Sequence, residues 1–445
     1  MKNIAFLFLL LPYFSLSIFS QDAQEIKDEE RFTSVYPQEK YLADLDEFAK
    51  SLTETHPQAY EFMSKEDFWK SVSEKKNSIS SKTTLSEFIW MCSELIANLG
   101  CSHSNLGFFN QEFHLLPDSL RFPIDSRFIG ESCFITDPLV NADRVSIGEE
   151  IISINGLSIA EIKAGIFKHI SSDGYNPQRK KGMLNVEFNS YLSYFLGFPA
   201  SYSIVLKGKK APIQLRALKK YNFNPRNAYD SGCKDRLCAE ISEKENTAQL
   251  TIRSFYFGDK VQAYYSFIDS VFEVMNTKQI QHLIVDVRGN GGGPSFTASH
   301  LLKYLAEKPF TYFSKETRYE EAFNLPMEPY ENAYKGKIYV LMDEGCGSTT
   351  GHFLSLLEDQ QIGTLVGTES GSTFSCNDNS QNFKLTHTGI SYRVARNTFT
   401  TTAQGLAKNR GILPDHPVEQ TLKDFLNNRD TALEFTQALI KEGRD

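Results

Sequence analysis

Ser348 is the residue whose type and position most directly indicate chemistry. It follows the apolar run IYVLM, residues 338–342, and precedes a stretch with Phe353, Leu354 and Leu357 on one helical face. Ser348 is therefore predicted to lie where a buried strand ends and a helix begins. Unpaired N–H groups at a helix N-terminus favour negative charge. A serine there can act as a nucleophile, although a serine before a helix more often only caps it.

A glycine-rich segment is the second feature that indicates a site. Residues 283–293 read LIVDVRGNGGG, a strand-like apolar run that ends in three successive glycines. Because glycine has no side chain, a ligand can approach the backbone N–H groups closely. No Gly-Lys-Ser or Gly-Lys-Thr follows either strand, and the dinucleotide-binding spacing is missing, so phosphate binding of those two kinds is disfavoured.

These segments resemble one family of peptidases. LIVDVRGNGGG and the Ser348 turn are similar to the glycine-rich strand end and the nucleophile segment of the tail-specific, or C-terminal-processing, serine peptidases and their tricorn-like relatives. VGTESGST, residues 366–373, resembles the segment that follows, and LPDHPV, residues 413–418, resembles the closing motif. The order and spacing match over roughly residues 40–440, which implies an acyl-enzyme mechanism on Ser348.

The resemblance also implies a base and an oxyanion hole. Gly100-Cys101-Ser102-His103 is similar to the family's Asp-x-His motif, with Cys101 where the acid usually stands. In the tricorn-like branch the serine before this histidine belongs to the catalytic tetrad, so Ser102 is its match and His103 is the predicted general base. Thr373 occupies the position of the lysine base used by the other branch, which argues against a Ser–Lys dyad. The expected oxyanion donors are the N–H groups of Thr349 and of one residue in Gly291–Gly292.

The acid of the tetrad departs from the family pattern. The tricorn-like branch has a glutamate three residues before the glycine of the closing motif, and the residue at that distance from Gly411 is Lys408. Either another acid such as Glu369 replaces it, or the register of the match is shifted, or the activity is weak. A catalytically weak or inactive peptide-binding homologue of the same fold is therefore the alternative function.

Composition and the N-terminus restrict the class of protein. The formal net charge of −8 gives no reason to expect nucleic-acid binding. Residues 1–20 have Lys2, an apolar stretch and a small residue before polar sequence, which predicts a signal peptide. A membrane-spanning anchor is the alternative, but the apolar stretch is short and Pro12 interrupts it. We expect an exported protein, periplasmic or secreted, with no stable membrane anchor after cleavage and with peptide or protein substrates.

The seven cysteines bear on disulfides and metals. Cys233 and Cys238 are close together in a polar segment and are the predicted disulfide pair, while the odd count leaves at least one free thiol or an intermolecular bond. Neither an HExxH motif nor a tight cluster of cysteine and histidine is present in the sequence. No metal and no cofactor are expected, and a crotonase-like acyl-CoA enzyme is disfavoured because export would remove it from CoA.

Periodicity divides the chain into a signal peptide and three further parts. Residues 21–110 form a predicted helical cap, because residues 41–99 have the 3.6-residue period of helices and a capping-box pattern from Thr84 to Glu87. Residues 111–220 are rich in β-formers and contain Asn155-Gly156, a hairpin signal, in a string that resembles a PDZ domain. Residues 221–445 alternate strand and helix, which predicts an α/β layer fold. The resemblance implies a crotonase-like ββα catalytic domain there.

Overall fold

The computed structural model describes residues 31–106, 116–219 and 232–443 of the chain. The predicted signal peptide and the predicted boundaries near residues 110 and 220 lie outside the described residues. Among the residues that are described, no helix combines the length and the apolar character needed to cross a bilayer.

Three helices lie in the part of the chain that was predicted to form a helical cap. They are α1 (Gln38–Thr55), α2 (Lys65–Ser78) and α3 (Leu85–Ala97). Helix α3 begins with the predicted capping box, because the Thr84 side chain accepts the Glu87 N–H at 3.3 Å and Glu87 accepts the Thr84 N–H at 2.8 Å.

An antiparallel sheet follows the cap in the chain. Its strands are β1 (Asp125–Ile129), β2 (Ser132–Asp137), β3 (Glu150–Ile154), β4 (Leu157–Ser158), β5 (Ser203–Leu206) and β6 (Ile213–Gln214). Their order is β1-β2-β3-β5-β6, and β4 pairs with β3. Asn155 and Gly156 have φ angles of 47° and 85°, as a two-residue type I′ turn requires, so the predicted hairpin is confirmed.

Two helices lie between β4 and β5, in a part of the chain that the sequence analysis assigned to β-structure. They are α4 (Ile159–Phe167) and α5 (Pro177–Phe195). Local signals for both were present. Ser158 and Glu161 form a capping box, and Asn176 caps α5 with Pro177 in the first turn. Helix α5 covers the free edge of β1, because the Asn185 amide accepts the Phe128 N–H at 2.7 Å and donates to the Phe128 carbonyl at 3.2 Å.

The third part is an α/β layer structure, as the alternation of elements predicted. Its strands are β7 (Leu237–Ser242), β8 (Thr247–Ile252), β9 (His282–Asp286), β12 (Lys337–Met342), β13 (Thr364–Gly367) and β18 (His416–Pro417). They form one sheet in the order β18-β13-β12-β9-β8-β7, with all neighbours parallel except β7 and β8. The crotonase-like arrangement and the PDZ-like character of the preceding domain stay predictions.

Helices cover both faces of this sheet. The apolar core on one face of the sheet contains side chains of α6 (Val261–Thr277), α7 (Ser295–Leu305) and α8 (Thr349–Gln360). Helix α10 (Thr431–Glu442) packs on the opposite face, where Ile284 and Leu341 lie. The remaining elements are the pairs β10 (Phe310–Thr311) with β11 (Pro326–Met327), β14 (Ser375–Asp378) with β17 (Asn397–Thr400), β15 (Gln381–Lys384) with β16 (Ser391–Val394), and the short helix α9 (Leu422–Leu426). Cys233 and Cys238 form the predicted disulfide, and Cys238 is the second residue of β7.

One apolar core joins the cap, the antiparallel sheet and the β16 hairpin. Phe48 of α1 and Tyr392 of β16 pack edge to face, with ring centroids 4.8 Å apart. Trp90 of α3 stacks on His169, just after α4, at 3.5 Å. The hairpin of β15 and β16 therefore packs the cap against the part of the chain that contains Ser348.

Candidate active site

Ser348 lies at the junction predicted from the sequence, between β12 and α8. Its backbone has φ 52° and ψ −125°, a conformation that a residue with a side chain adopts only under strain. The Ser348 N–H donates to Ser372 Oγ at 2.8 Å, and the Gly347 N–H donates to the Asn290 carbonyl at 3.0 Å. Thr349 Oγ1 also donates to the Gly293 carbonyl. The glycine loop and the Ser348 turn thus hold each other in place.

The glycine loop approaches Ser348 so closely that a side chain would not fit. A Cβ atom on Gly292 would lie 2.8 Å from Ser348 Cβ and 3.0 Å from the Thr349 nitrogen, and Gly292 has φ +101°. The Gly292 N–H donates to Asn290 Oδ1 at 2.9 Å, so it is used within the loop. In the described part of the chain, the N–H groups of Gly291 and Thr349 have no such partner, which leaves these two of the expected oxyanion donors available.

His103 and Ser102 lie in the same cavity as Ser348. Ser102 Oγ is 3.3 Å from His103 Nδ1, and His103 Nε2 is 3.6 Å from Asp378 Oδ2. Ser380 Oγ holds the backbone of this segment by donating to the His103 carbonyl at 3.0 Å. The fold therefore brings the predicted base and the predicted nucleophile to one place, with the imidazole beside Asp378.

The cavity measures about 1230 Å³, which suits a ligand larger than a single amino acid. One wall is aromatic and consists of Phe313, Tyr319 and Phe399, whose ring centroids are 5.2 to 6.1 Å apart. Ser348 and the glycine loop form another part of its surface. Apolar side chains of a ligand can therefore be buried next to Ser348.

Asp173, which the sequence analysis missed, links the two halves of this site. Its Oδ1 accepts the Ser102 N–H at 2.9 Å, and its Oδ2 accepts the Ser372 hydroxyl at 2.6 Å. Since Ser372 Oγ accepts the Ser348 N–H, one buried carboxylate connects the turn of Ser348 to the segment of His103. The flanking polar residues gave no spacing or motif by which Asp173 could have been found.

Neither of the two residues considered for the missing acid lines the cavity that contains Ser348. Lys408 Nζ donates to Glu61 Oε1 at 3.1 Å. Glu369 accepts both the Arg410 guanidinium, at 2.8 and 3.2 Å, and the Gly411 N–H at 2.9 Å. Glu369 thereby fastens the closing motif. The carboxylates beside the His103 segment are those of Asp173 and Asp378.

Cysteine and histidine side chains surround the site, although the sequence gave no sign of a metal cluster. Single ligand atoms of Cys101, His103 and Asp173 lie within 4.8 Å of one another, and these are donor types that zinc takes. Burial raises the pKa of Cys101 to about 12, so without a metal its thiol is neutral. Cys376 Sγ lies 3.3 Å from His352 Nε2, and burial lowers the pKa of His352 to about 4, so this pair is also uncharged.

Comparison with known proteins agrees with this geometry. Residues 246–418 match the model of peptidase family S41. The chain contains a peptidase family S41 domain. The resemblance seen in the sequence is thus confirmed. Ser348, Glu369 and Lys408 lie within the matched segment of the S41 domain, whereas Ser102, His103 and Asp173 precede it.

One curated relative and two solved structures place the S41 domain in context. The tricorn protease of Thermoplasma acidophilum is 27% identical over 174 residues, which cover 38% of this chain and only 15% of that protein. The structure of mature CPAF superposes with a TM-score of 0.62 at 13% identity, covering 91% of this chain and 97% of that one. Mature CPAF complexed with lactacystin gives 0.63 at 13% identity, with 91% and 98% covered. These structures share the fold of this chain.

Proposed function

We propose that this protein is an exported serine peptidase that hydrolyses peptide bonds through an acyl-enzyme on Ser348, with His103 as the general base. The observation that carries the proposal is the convergence of three features in one cavity. They are the strained Ser348 at a strand–helix junction, the unpartnered N–H of Thr349 beside Gly292, and the imidazole of His103. The S41 domain supports the same reaction class.

The proposed reaction begins with attack of Ser348 Oγ on the scissile carbonyl. His103 takes the hydroxyl proton and returns it to the leaving amine. Its Nε2 lies beside Asp378, so the imidazole turns toward Ser348 before it takes the proton. The N–H groups of Thr349 and Gly291 bind the oxyanion, and each such donor contributes roughly 3 kcal/mol to lowering the barrier.

Asp173 and Ser102 position the base in this proposal. Asp173 accepts the Ser102 N–H, and Ser102 Oγ contacts His103 Nδ1. A carboxylate close to the imidazole stabilises the imidazolium that forms during acyl transfer. Asp173 and Asp378 would supply the negative charge that the glutamate supplies in the family pattern.

Two further parts of the proposal concern substrate binding and location. The antiparallel sheet is proposed to be a PDZ-like module that holds an extended peptide by strand addition. Asn185 occupies both backbone groups of Phe128 on β1, so addition at that position requires Asn185 to move. The pattern of residues 1–20 and the Cys233–Cys238 disulfide support export to an oxidising compartment.

A non-catalytic peptide-binding protein is the second candidate, favoured by one observation. Lys408 stands at the position of the family's glutamate and bonds to Glu61 rather than to the histidine. The two candidates differ in whether Ser348 is reactive.

Labelling with a fluorophosphonate, together with peptide hydrolysis, tests the proposal. Wild type should be labelled, and Ser348→Ala should lose both labelling and hydrolysis. His103→Ala should lower kcat by ~10²–10⁴-fold, the usual contribution of a general base. Ser295→Ala is the matched control, because Ser295 also begins a helix and lines the same cavity. Undiminished labelling of Ser348→Ala would reject the nucleophile, and an unlabelled wild type that still binds peptide would favour the second candidate.

A further inference from the structure

The cavity that contains Ser348 has a charge opposite to that of the whole chain. Four arginines line it: Arg179, Arg236, Arg318 and Arg393. Asp378 is the only carboxylate among the described residues that line it. The complete chain carries a formal net charge of −8. The positive cavity therefore does not follow from overall composition and is a local property of the site.

Three of these guanidinium groups have no carboxylate partner in the described part of the chain. Arg393 pairs with Asp378 at 3.4 Å, and the same aspartate is near His103. Arg179 donates to the carbonyl oxygen of Glu344 at 3.4 Å. Neither Arg236 nor Arg318 has an ion pair or a side-chain hydrogen bond with the described residues. A guanidinium that faces a cavity without a partner is well suited to bind a carboxylate through two parallel hydrogen bonds.

The three arginines reach the cavity from three separate elements. Arg179 is in the first turn of α5, and Arg318 is in the segment between β10 and β11, next to the aromatic wall at Tyr319. Arg236 lies between Cys233 and Cys238, which the disulfide joins at the start of β7. The disulfide restricts this part of the chain. Three separate parts of the fold thus contribute positive charge to the cavity.

We infer that this cavity selects peptides with acidic side chains, aspartate or glutamate, close to the bond that is cleaved. The inference rests on the proposed peptidase function and adds a substrate class to it. Apolar side chains of the same peptide would contact Phe313 and Phe399, while the acidic ones would bind Arg179, Arg236 and Arg318. Charge complementarity of this kind also speeds the encounter with an acidic substrate, and the effect weakens as salt is added.

The test is a set of matched peptides that differ only by Glu, Gln or Lys at each position flanking the cleaved bond. Each peptide is made with a free and with an amidated C-terminus. Wild type should cleave the best Glu peptide with a kcat/KM about tenfold above that of its Gln counterpart for each arginine engaged, as one charge-assisted hydrogen bond provides. Arg179→Gln, Arg236→Gln and Arg318→Gln should each lower this Glu-to-Gln ratio. Arg216→Gln should leave it unchanged, because Arg216 pairs with Asp143 in the antiparallel domain.

Two results would overturn the inference. One is an equal kcat/KM for the Glu and Gln peptides. The other is a preference that depends on the free C-terminus and not on the acidic side chain. The affinity of Ser348→Ala protein for the same peptides, measured by fluorescence anisotropy, tests selectivity separately from catalysis. Tighter binding of Glu than of Gln peptides with no hydrolysis by wild type would reject the peptidase function and keep the acidic selectivity.

Discussion

At the scale of single residues, Asp173 connects the segment of His103 to the turn of Ser348. It is buried, and it holds the backbone before His103 and the hydroxyl of Ser372 at the same time. An asparagine at position 173 would keep the shape of the side chain but not its charge. Either the Ser102 N–H or the Ser372 hydroxyl would then lack an acceptor. A buried polar group left unpaired in this way costs about 1–3 kcal/mol.

We therefore expect Asp173→Asn to lower kcat on a peptide ester by roughly 10- to 100-fold, because the turns of Ser348 and His103 lose their common anchor. Lys408→Ala should leave kcat unchanged and alter the free energy of unfolding by less than about 0.5 kcal/mol, since the exposed Lys408–Glu61 pair contributes little. Steady-state kinetics and urea unfolding of both variants measure these effects. If Lys408→Ala loses as much activity as Asp173→Asn, the lysine belongs to the catalytic network and the role given to Asp173 is wrong.

At the scale of elements, the ends of two strands bring Ser348 and the glycine loop together. Ser348 follows β12, and the glycine loop follows β9. Strands β9 and β12 are parallel neighbours, so their carboxyl ends lie at the same edge of the sheet. The loop after β9 supplies glycines and the loop after β12 supplies Ser348. Because these loops touch through backbone atoms, the space at Gly292 is as important as the chemistry of Ser348.

Gly292→Ala should abolish fluorophosphonate labelling, reducing its rate by at least about 100-fold. The new methyl group would meet Ser348 Cβ at 2.8 Å and the backbone at φ +101° would be strained. The matched control is Gly291→Ala, because a Cβ on Gly291 has nothing within 4 Å. Labelling rates and melting temperatures of the two variants should therefore separate. Equal labelling of both would show that the close approach at Gly292 has no effect on the nucleophile.

At the scale of the whole molecule, several histidines are buried in the neutral form. Burial lowers the pKa of His56, His169 and His352 to about 4 in each case. His56 and His352 are almost fully buried, and His169 stacks on Trp90. Asp343 has the opposite effect, because burial next to Glu344 raises its pKa to about 6.

Stability should fall as the pH is lowered from about 6.5 toward 4. The unfolded chain binds protons on these three histidines at a pH where the folded chain does not, so their contribution is complete above the unfolded pKa and is lost below it. Asp343 offsets one of these three protons, so these four groups together contribute about two protons and a slope of about 2–3 kcal/mol per pH unit near pH 5.

Urea unfolding at a series of pH values measures this slope. His169→Gln should reduce the slope by the contribution of about one proton. His387→Gln is a suitable comparison because it changes another histidine outside this group. A free energy of unfolding that stays constant between pH 6.5 and 5 would show that the three imidazoles are not neutral in the folded protein.

The amino-acid sequence by itself determined the local features of this protein. Periodicity located the cap helices and the alternating strands and helices. The Asn155-Gly156 turn and the Thr84 capping box followed from local hydrogen bonding. The position of Ser348 at a strand–helix junction and the glycine segment before it indicated the family. Each of these depends on residues that are neighbours in the chain, which is why pattern and propensity were sufficient.

Only the tertiary structure decided which groups surround Ser348. Asp173 and Asp378 reach the His103 segment from distant parts of the chain, and Lys408 turns away to Glu61. Likewise, the cavity collects arginines from three elements, although no segment is unusual in its own charge. Contacts of this kind form when strands pair and cores pack, and they leave no local pattern in the sequence. The sequence therefore indicated Ser348 as the candidate nucleophile, while only the fold determined which groups surround it.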